Sequence, residues 1–271
     1  MPRIFSYRDD RIYSHHTVDY SPTSDEFTMH AHEWLEILYF ISGSGSYLVE
    51  GNQYPLEPGD LFVLRPSEMH KLLIDPGQPY ERIVIHFDPS LLSGLDPDRA
   101  LLRVFYERPL GQQNRYSQAS DPDGLIRTAF SSFQFDQVSN IRLNLAARLV
   151  MLLTVLDGLY GQSQMHTPAE GIHNQLVAYV NEHLFEDISV QTIADAFYRS
   201  SSQISRVFRQ ATGSSLWEYV TIKRLMTART MIQRGEAAGT AATACGFSEY
   251  SSFYRAYRSH FGRSPKEDAP K

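Results

Sequence analysis

Arg206 and Arg255 occupy matching places in two copies of one short pattern, ISRVFRQATG (Ile204–Gly213) and FYRAYRSHFG (Phe253–Gly262). Each copy runs apolar, Arg, aromatic, Arg and a closing Gly: Ile204/Phe253, Arg206/Arg255, Phe208/Tyr257, Arg209/Arg258, Gly213/Gly262. An arginine on the outer face of a helix can bond both acceptors of a guanine edge, and a glutamine can do the same for adenine. At helical period Ile204, Val207, Phe208 and Ala211 share the inward face of the first copy, leaving Ser202, Gln203, Arg206 and Gln210 outward. Ser251, Ser252, Arg255 and Ser259 are the corresponding set in the second. Arg209 and Arg258 flank these faces and suit phosphate oxygens, contacts that position a protein on DNA without reading its sequence. One such helix could equally carry ordinary solvated charges. Two aligned copies favour DNA reading.

A second set of polar groups lies near the front, in MHAHEWLEILYFISGSG (Met29–Gly45) and YPLEPGDLFVLRPSEMH (Tyr54–His70). His30, His32, Glu36 and His70 offer hydrogen bonds to a small polar ligand, with Trp34, Tyr39 or Arg65 near the mouth of the pocket. Aromatic faces mixed with polar groups suit a sugar. Three histidines and a carboxylate also suit Fe, Mn, Ni or Zn, and histidines simply packed in a core are the plain alternative. His166, His173 and His183 stand alone and need no special role. No Gly-rich nucleotide motif and no Ser/His/Asp hydrolase signature is present.

These residues need elements to hold them. A length of 271 residues allows two domains, each with its own core. Hydrophobic residues at 42% and charged residues at 21% exclude a disordered or fibrous chain. The single cysteine, Cys245, excludes an intrachain disulfide framework and a Cys-based zinc finger. No apolar run is expected to reach the ~18–20 residues of a membrane span, and MPRIFSYRDD does not read as a signal peptide, so a bacterial cytoplasm fits. The net charge of −6 is unevenly placed. Residues 1–165 carry 13 Lys+Arg against 21 Asp+Glu, and residues 166–271 carry 12 against 10. The segment with the repeated arginines is therefore mildly basic, as phosphate binding requires.

Residues 1 to about 90 read as strands. YLVEGNQYPLEPGDLFVLRP (Tyr47–Pro66) alternates β-branched and aromatic runs with Gly, Asn and Pro turns. ERIVIHF (Glu81–Phe87) puts Ile83 and Ile85 on one side, Val84 and His86 on the other. Many short strands predict a small antiparallel barrel or jelly roll. The arm before Phe27, with Tyr7, Tyr13 and Tyr20, either closes over a ligand or is an ordinary barrel strand. From about Gly124 to Tyr160 the period turns helical, and Leu145, Leu149, Leu152, Leu156 and Leu159 form a seam that either the barrel or a second copy of the chain must cover. GQSQMHTPAEG (Gly161–Gly171) has no apolar period and reads as a linker. IHNQLVAYVNEHLFED (Ile172–Asp187) is amphipathic, and SLWEYVTIKRLMTARTMIQRG (Ser215–Gly235) is a long helix between the repeats, closed by a Gly suited to a cap. IADAFYRSSS (Ile193–Ser202) and AATACGFSEYSS (Ala241–Ser252) precede the two repeats, completing the layout of two helix-turn-helix units. The 19 residues Leu216–Arg234 span ~28 Å as a helix, so with the turns the two reading helices can sit roughly one DNA turn, ~34 Å, apart.

Residues 172–271 resemble the DNA-binding domain of the AraC/XylS family of bacterial transcription regulators. The most specific stretch is GFSEYSSFYRAYRSHFGRSP, with its Gly-Phe-Ser turn (Gly246–Ser248), Phe-x-Arg helix (Phe253–Arg255) and Phe-Gly-x-x-Pro end (Phe261–Pro265). Two departures stand out. Tyr198 and Arg199 occupy positions where the family has Gly and an apolar turn residue, and GTAATAC (Gly239–Cys245) has small residues where it has Val and Ile. The front segment resembles the family's cupin-like ligand domain. His30, His32, Glu36 and Gly43 match the metal-cupin pattern, and His70 falls where the fourth ligand lies. Members retain such histidines as polar pocket lining without metal, so no cofactor is expected; a loaded site would use His30, His32, Glu36 and His70.

The expected fold is multidomain α+β: a cupin-like jelly-roll barrel over residues 1–120, a helical segment at 121–160 able to serve dimerisation, a linker at 161–171 and an all-α domain at 172–271 with two helix-turn-helix units. The resemblance implies a non-enzymatic regulator that binds double-stranded DNA, senses a sugar and activates transcription, with RNA polymerase as a further partner; the leucine seam adds a homodimer, and no membrane is expected. A metal-dependent cupin enzyme fused to a DNA-binding domain is the rival reading.

Overall fold

A computed structural model describes residues 3–23, 26–131, 140–162 and 171–270, with the backbone alone given for 3, 161 and 162. Among the described residues nine strands build the front half: β1 (Arg3–Arg8), β2 (Ile12–Asp19), β3 (Leu35–Ser42), β4 (Gly45–Val49), β5 (Asn52–Pro55), β6 (Leu61–Leu64), β7 (His70–Ile74), β8 (Tyr80–Phe87) and β9 (Arg115–Tyr116). They form a six-stranded sheet in the order β1-β2-β8-β3-β6-β9 and a three-stranded sheet in the order β5-β4-β7, with antiparallel pairing throughout. The predicted N-terminal arm is thus two strands of the larger sheet. Leu38, Phe40, Phe62, Leu64 and Val84 face Tyr47, Val49, Leu72 and Ile74 across the sandwich. The other face of the same strands, with Leu35, Ile37, Tyr39, Ile83, Ile85 and Phe87, is covered by helices α1 (Arg103–Tyr106), α2 (Leu125–Ser131) and α3 (Ile141–Gln162). Both faces of β3 and β8 are buried, so these strands read as near-continuous apolar runs interrupted only where a polar group has a task.

The leucine seam belongs to this core. Leu145, Leu149, Leu152, Leu156 and Leu159 all pack on the barrel strands, so the chain covers its own seam and no second copy is needed there. This corrects the dimerisation reading of those five residues. Period analysis shows which face is apolar but not what meets it. A second correction concerns length: Ile141–Tyr160 is long and apolar enough, by length and composition, to cross a membrane. Its buried leucine face marks it here as a core helix of the barrel domain. The proposed linker lies mostly outside the described residues, and α3 extends two residues into it.

The described residues after α3 form α4 (Ile172–Glu182), α5 (Val190–Ala196), α6 (Ser201–Thr212), α7 (Leu216–Gln233), α8 (Ala238–Ala244), α9 (Tyr250–Phe261) and α10 (Pro265–Asp268). Their ends are set by local chemistry. Ser200 caps α6 through its hydroxyl on the Gln203 amide, while the Gln203 side chain returns to the Ser200 N–H. Gly213 and Gly262 close α6 and α9 in the left-handed conformation. Two small cores are strung on α7. Tyr219, Val220, Ile222 and Met226 pack with α4–α6, and Leu225, Ala228 and Ile232 pack with α8 and α9. Arg224 ties the two units together, donating to the Leu184 and Glu186 carbonyls of the first and to the Gly246 carbonyl of the second.

The turn in each unit is one structure built twice. Tyr198 and Gly246 both have positive φ, +52° and +79°, and the next amide bonds back to the carbonyl of Ala194 or Ala242. This is the glycine-favouring helix end, and the first unit makes it with a tyrosine whose side chain is 96% exposed. A left-handed residue with a Cβ costs roughly 1–2 kcal/mol. Tyr198→Gly therefore relieves strain while losing no packing, and is expected to raise stability by about 1 kcal/mol in denaturant unfolding. An unchanged or lower midpoint would mean the tyrosine is held there by a contact.

Candidate functional site

Each repeat forms a helix with its outward set in solvent. Ser202, Gln203, Arg206, Arg209 and Gln210 are exposed on α6, and Ser251, Ser252, Arg255, Arg258 and Ser259 are exposed on α9. The opposite faces, Ile204, Phe208 and Ala211 in the first and Phe253 and Tyr257 in the second, anchor each helix in its own core. Two residues have additional ties. The carbonyl of the Gln203 side chain accepts from the Ser200 N–H at 3.1 Å, so a two-bond contact with adenine requires the cap to open. Gln210 borders a cleft of about 500 Å³ shared with Leu48, Gly51, Asn52 and Gln53 of the barrel.

Inside the barrel, polar groups converge on one carboxylate. Strand β3 carries Glu36 toward the sandwich interior, where it is buried. Its Oε2 lies 2.5 Å from His32 Nε2, 3.6 Å from His86 Nδ1 and 3.7 Å from His70 Nε2, and its Oε1 accepts from the Tyr47 hydroxyl at 3.3 Å. Burial alone would raise the Glu36 carboxyl, but His86, His32 and His70 outweigh it and hold the group well below the usual carboxylate range. Burial pushes the other way on His32, yet its hydrogen bond to Glu36 raises it above an ordinary histidine. Burial drives His86 down to about 4 despite Glu36, and drives His70 down as well. Glu36 is thus held ionised among the imidazoles, with His32 as its hydrogen-bonded partner.

Of the seven residues predicted for ligand binding, the structure brings four to this cluster or the cavity above it. A cavity of about 500 Å³ is lined by His32, Trp34 and His86, by Arg8 and Tyr13 of the first two strands, by Ala31 and Glu33, and by Met226, Arg229, His260 and Phe261 of the helical domain. Glu36 and His70 lie beneath it, in the cluster. His30 is exposed, paired through its backbone to His70, with its ring 4.2 Å from the His70 ring. Tyr39 and Arg65 are corrections. Tyr39 is three residues from Glu36, an odd step, so it points to the opposite face and stacks on Phe130 at 4.2 Å. Arg65 belongs to a buried structural network, donating to the Arg108 carbonyl while its amide bonds Glu68, itself paired with Arg108. His86 was legible as the partner of Val84 on the inward face of β8. Tyr13, stacked on His86 at 5.7 Å, and the wall from the helical domain had no local signal.

Comparison with known proteins matches both halves. Residues 17–124 match the AraC-like ligand binding domain, and residues 167–269 match the helix-turn-helix domain family. The chain belongs to the AraC/XylS family of transcription regulators. The HTH-type transcriptional activator RhaS of Escherichia coli O1:K1 is 24% identical over 277 residues, covering 93% of this chain and 95% of RhaS. RhaS of Escherichia fergusonii is 25% identical over 276 residues with the same coverage. ToxT of Vibrio cholerae, a solved structure, is 12% identical over 95% of this chain and 97% of its own, with a TM-score of 0.40.

In this AraC/XylS regulator the two domains meet through a buried charge. Strands β4 and β5 are joined by a two-residue turn, Glu50–Gly51, with φ of +46° and +85°, the tight hairpin form that ordinarily takes Asn-Gly. Glu50 reaches from it into the helical domain. Its carboxylate pairs with Lys223 at 2.5 Å and accepts from the Tyr219 hydroxyl, the Asn181 amide at 3.3 Å and the Met69 N–H at 2.7 Å. Burial and the Glu50 charge push the Tyr219 hydroxyl well above an ordinary tyrosine, which keeps it a donor. Met69 itself inserts among Leu176, Val177, Val180 and Tyr219. A strained non-glycine turn at a domain junction points to a functional role for the residue that holds it.

Proposed function

We propose that this regulator is a transcription activator, working in the cytoplasm with DNA and RNA polymerase, whose effector is a sugar bound between the barrel and the DNA-binding domain. The observation that carries the reading is the cavity lined by both domains, with Trp34 and Tyr13 offering ring faces and His32, His86, Glu33, Arg8 and Arg229 offering polar groups. That mixture suits a hydroxyl-rich ligand of monosaccharide size. A ligand touching both walls gains contacts available only when the domains are docked, so it shifts the population toward that arrangement. The reading faces of α6 and α9 stay exposed there, so the docked form is the DNA-competent one. Activation rather than repression follows the name of the RhaS relatives.

A homodimer is part of the reading, formed on the face of α3 opposite the leucine seam, where Leu143 and Met151 are 64% and 46% exposed and Ala147 lies between them. Met151→Glu is expected to leave folding intact and dissociate the dimer in sedimentation; an unchanged mass would move the interface elsewhere. The effector reading is tested by thermal shift and fluorescence anisotropy on paired DNA half-sites, with a panel of pentoses, hexoses, deoxyhexoses and uronic acids. One sugar should raise both the melting temperature and DNA affinity, and Trp34→Ala should abolish both responses. A panel without any such sugar would reject the sugar assignment.

A further inference from the structure

We infer that the floor of the interdomain cavity is a divalent transition-metal site, with His32, Glu36, His70 and His86 as its four ligands. The inference is independent of the effector's identity.

The hydrogen bonds on the far side of the rings carry the argument. A backbone carbonyl can only accept, so the nitrogen facing it must hold the ring proton. His32 Nδ1 lies 2.8 Å from the Trp34 carbonyl, and His70 Nδ1 lies 2.8 Å from the Glu68 carbonyl. Both rings therefore present a bare Nε2 lone pair to the interior when neutral. Metal-binding histidines are fixed in this way, by an outer-shell acceptor on the second nitrogen. At His70, 1% exposed, the inward Nε2 has no hydrogen-bond partner among the described residues, although it points at Glu36 Oε2 from 3.7 Å. Two acceptors face each other there in a dry interior, an arrangement that costs free energy unless something electrophilic lies between. A proton can serve the His32–Glu36 pair, but it cannot serve His70 and His86 at the same oxygen.

The geometry accommodates an ion. The ligand atoms of His32, Glu36 and His86 all lie within 4.8 Å of one another. Bonds of about 2.0–2.2 Å in a tetrahedron set ligand atoms about 3.4 Å apart. The separations of 3.6 Å and 3.7 Å from Glu36 Oε2 are close to that value. The 2.5 Å His32–Glu36 contact opens by roughly an ångström as the metal replaces the shared proton. Three imidazoles with one carboxylate select Zn²⁺, Ni²⁺, Co²⁺ or Fe²⁺ over Mg²⁺ or Ca²⁺. The set differs from the one the sequence pattern suggested. His30 is exposed and, unlike His32, His70 and His86, is not paired with Glu36, so His86 on β8 takes the fourth place. His32 and His86 also line the cavity, which gives the ion access to it.

The test uses the full chain, stripped with chelator and titrated with ZnCl₂, with no sugar or DNA present. The expected result is one Zn²⁺ per chain by calorimetry and elemental analysis, a higher melting temperature, and a tetrahedral visible spectrum on loading with Co²⁺. His86→Gln, at a position with part of its ring exposed, is expected to fold and to weaken Zn²⁺ binding at least 100-fold, with His70→Gln doing the same and His30→Ala leaving it unchanged. Wild-type protein that takes up no stoichiometric Zn²⁺ overturns the site. So does a His86→Gln protein that binds as tightly as wild type, or a His30→Ala protein that loses the metal. If His70→Gln fails to fold, the His86→Gln titration and the Co²⁺ spectrum decide.

Discussion

Glu50→Ala is expected to lower the stability of the docked protein by about 3–5 kcal/mol, the cost of leaving a buried charge without its partner. Lys223 is 5% exposed, so its ammonium cannot turn to water while the domains stay together. The Tyr219 hydroxyl, the Asn181 amide and the Met69 N–H lose an acceptor in the same step. The domains therefore separate rather than tolerate the vacancy. Urea unfolding should change from one transition to two, with the helical domain melting first. The double variant Glu50→Ala with Lys223→Met removes the orphaned charge and should recover most of the loss, because an apolar replacement of a buried pair is close to neutral. A loss below about 1 kcal/mol for Glu50→Ala would mean that the carboxylate is not buried against Lys223 in solution. If docking is the DNA-competent arrangement, the same variant also needs more effector to reach half-maximal DNA binding.

That residue marks the boundary of what the sequence could disclose. The repeats were legible because a helix facing two environments must alternate at its own period, so Ile204 and Phe208 announce Arg206 on the other side. The caps were equally local: Ser200 with Gln203, and Gly213 and Gly262 at the ends. Strand alternation also separates Tyr39 from Glu36 and puts His86 beside Val84. Glu50 has no such signal. It sits in a hairpin turn where a charged residue ordinarily means solvent, and its partners Tyr219 and Lys223 lie far along the chain. The wall formed by Arg229, His260 and Phe261 was hidden for the same reason. The leucine seam shows the converse. Its face was readable residue by residue, but whether the barrel or a second copy covered it depended on chain topology, and the barrel does.

The largest effect on function is expected from removing both reading arginines. Arg206→Ala alone should weaken specific DNA binding by ~1–3 kcal/mol, and Arg255→Ala by a similar amount, because each loses a two-bond contact to one base. The two side chains stand on separate helices, α6 and α9, held in separate cores with no contact between them given by the structure. Their losses should therefore add, to about 2–6 kcal/mol, roughly 30-fold to 10⁴-fold in affinity. The signature lies in which sequences suffer. Each single variant should relax preference at one base position within one groove segment, and the double variant at both. Arg209→Ala and Arg258→Ala should instead weaken all sequences alike, and each should reduce the slope of log affinity against log salt by about 1, the release of one phosphate's counterions. Both pairs are exposed and close no cap, so unfolding midpoints should stay within about 0.5 kcal/mol of wild type. Gln203→Ala is the contrasting case, since it also removes the acceptor of the Ser200 N–H and should lose some helix stability along with any adenine preference. Anisotropy against a randomised half-site library, repeated at two salt concentrations, separates these outcomes. Unchanged base preference in the Arg206→Ala and Arg255→Ala double variant, with a reduced salt slope, would reassign both arginines to the phosphate backbone and leave base reading to the serines and Gln210.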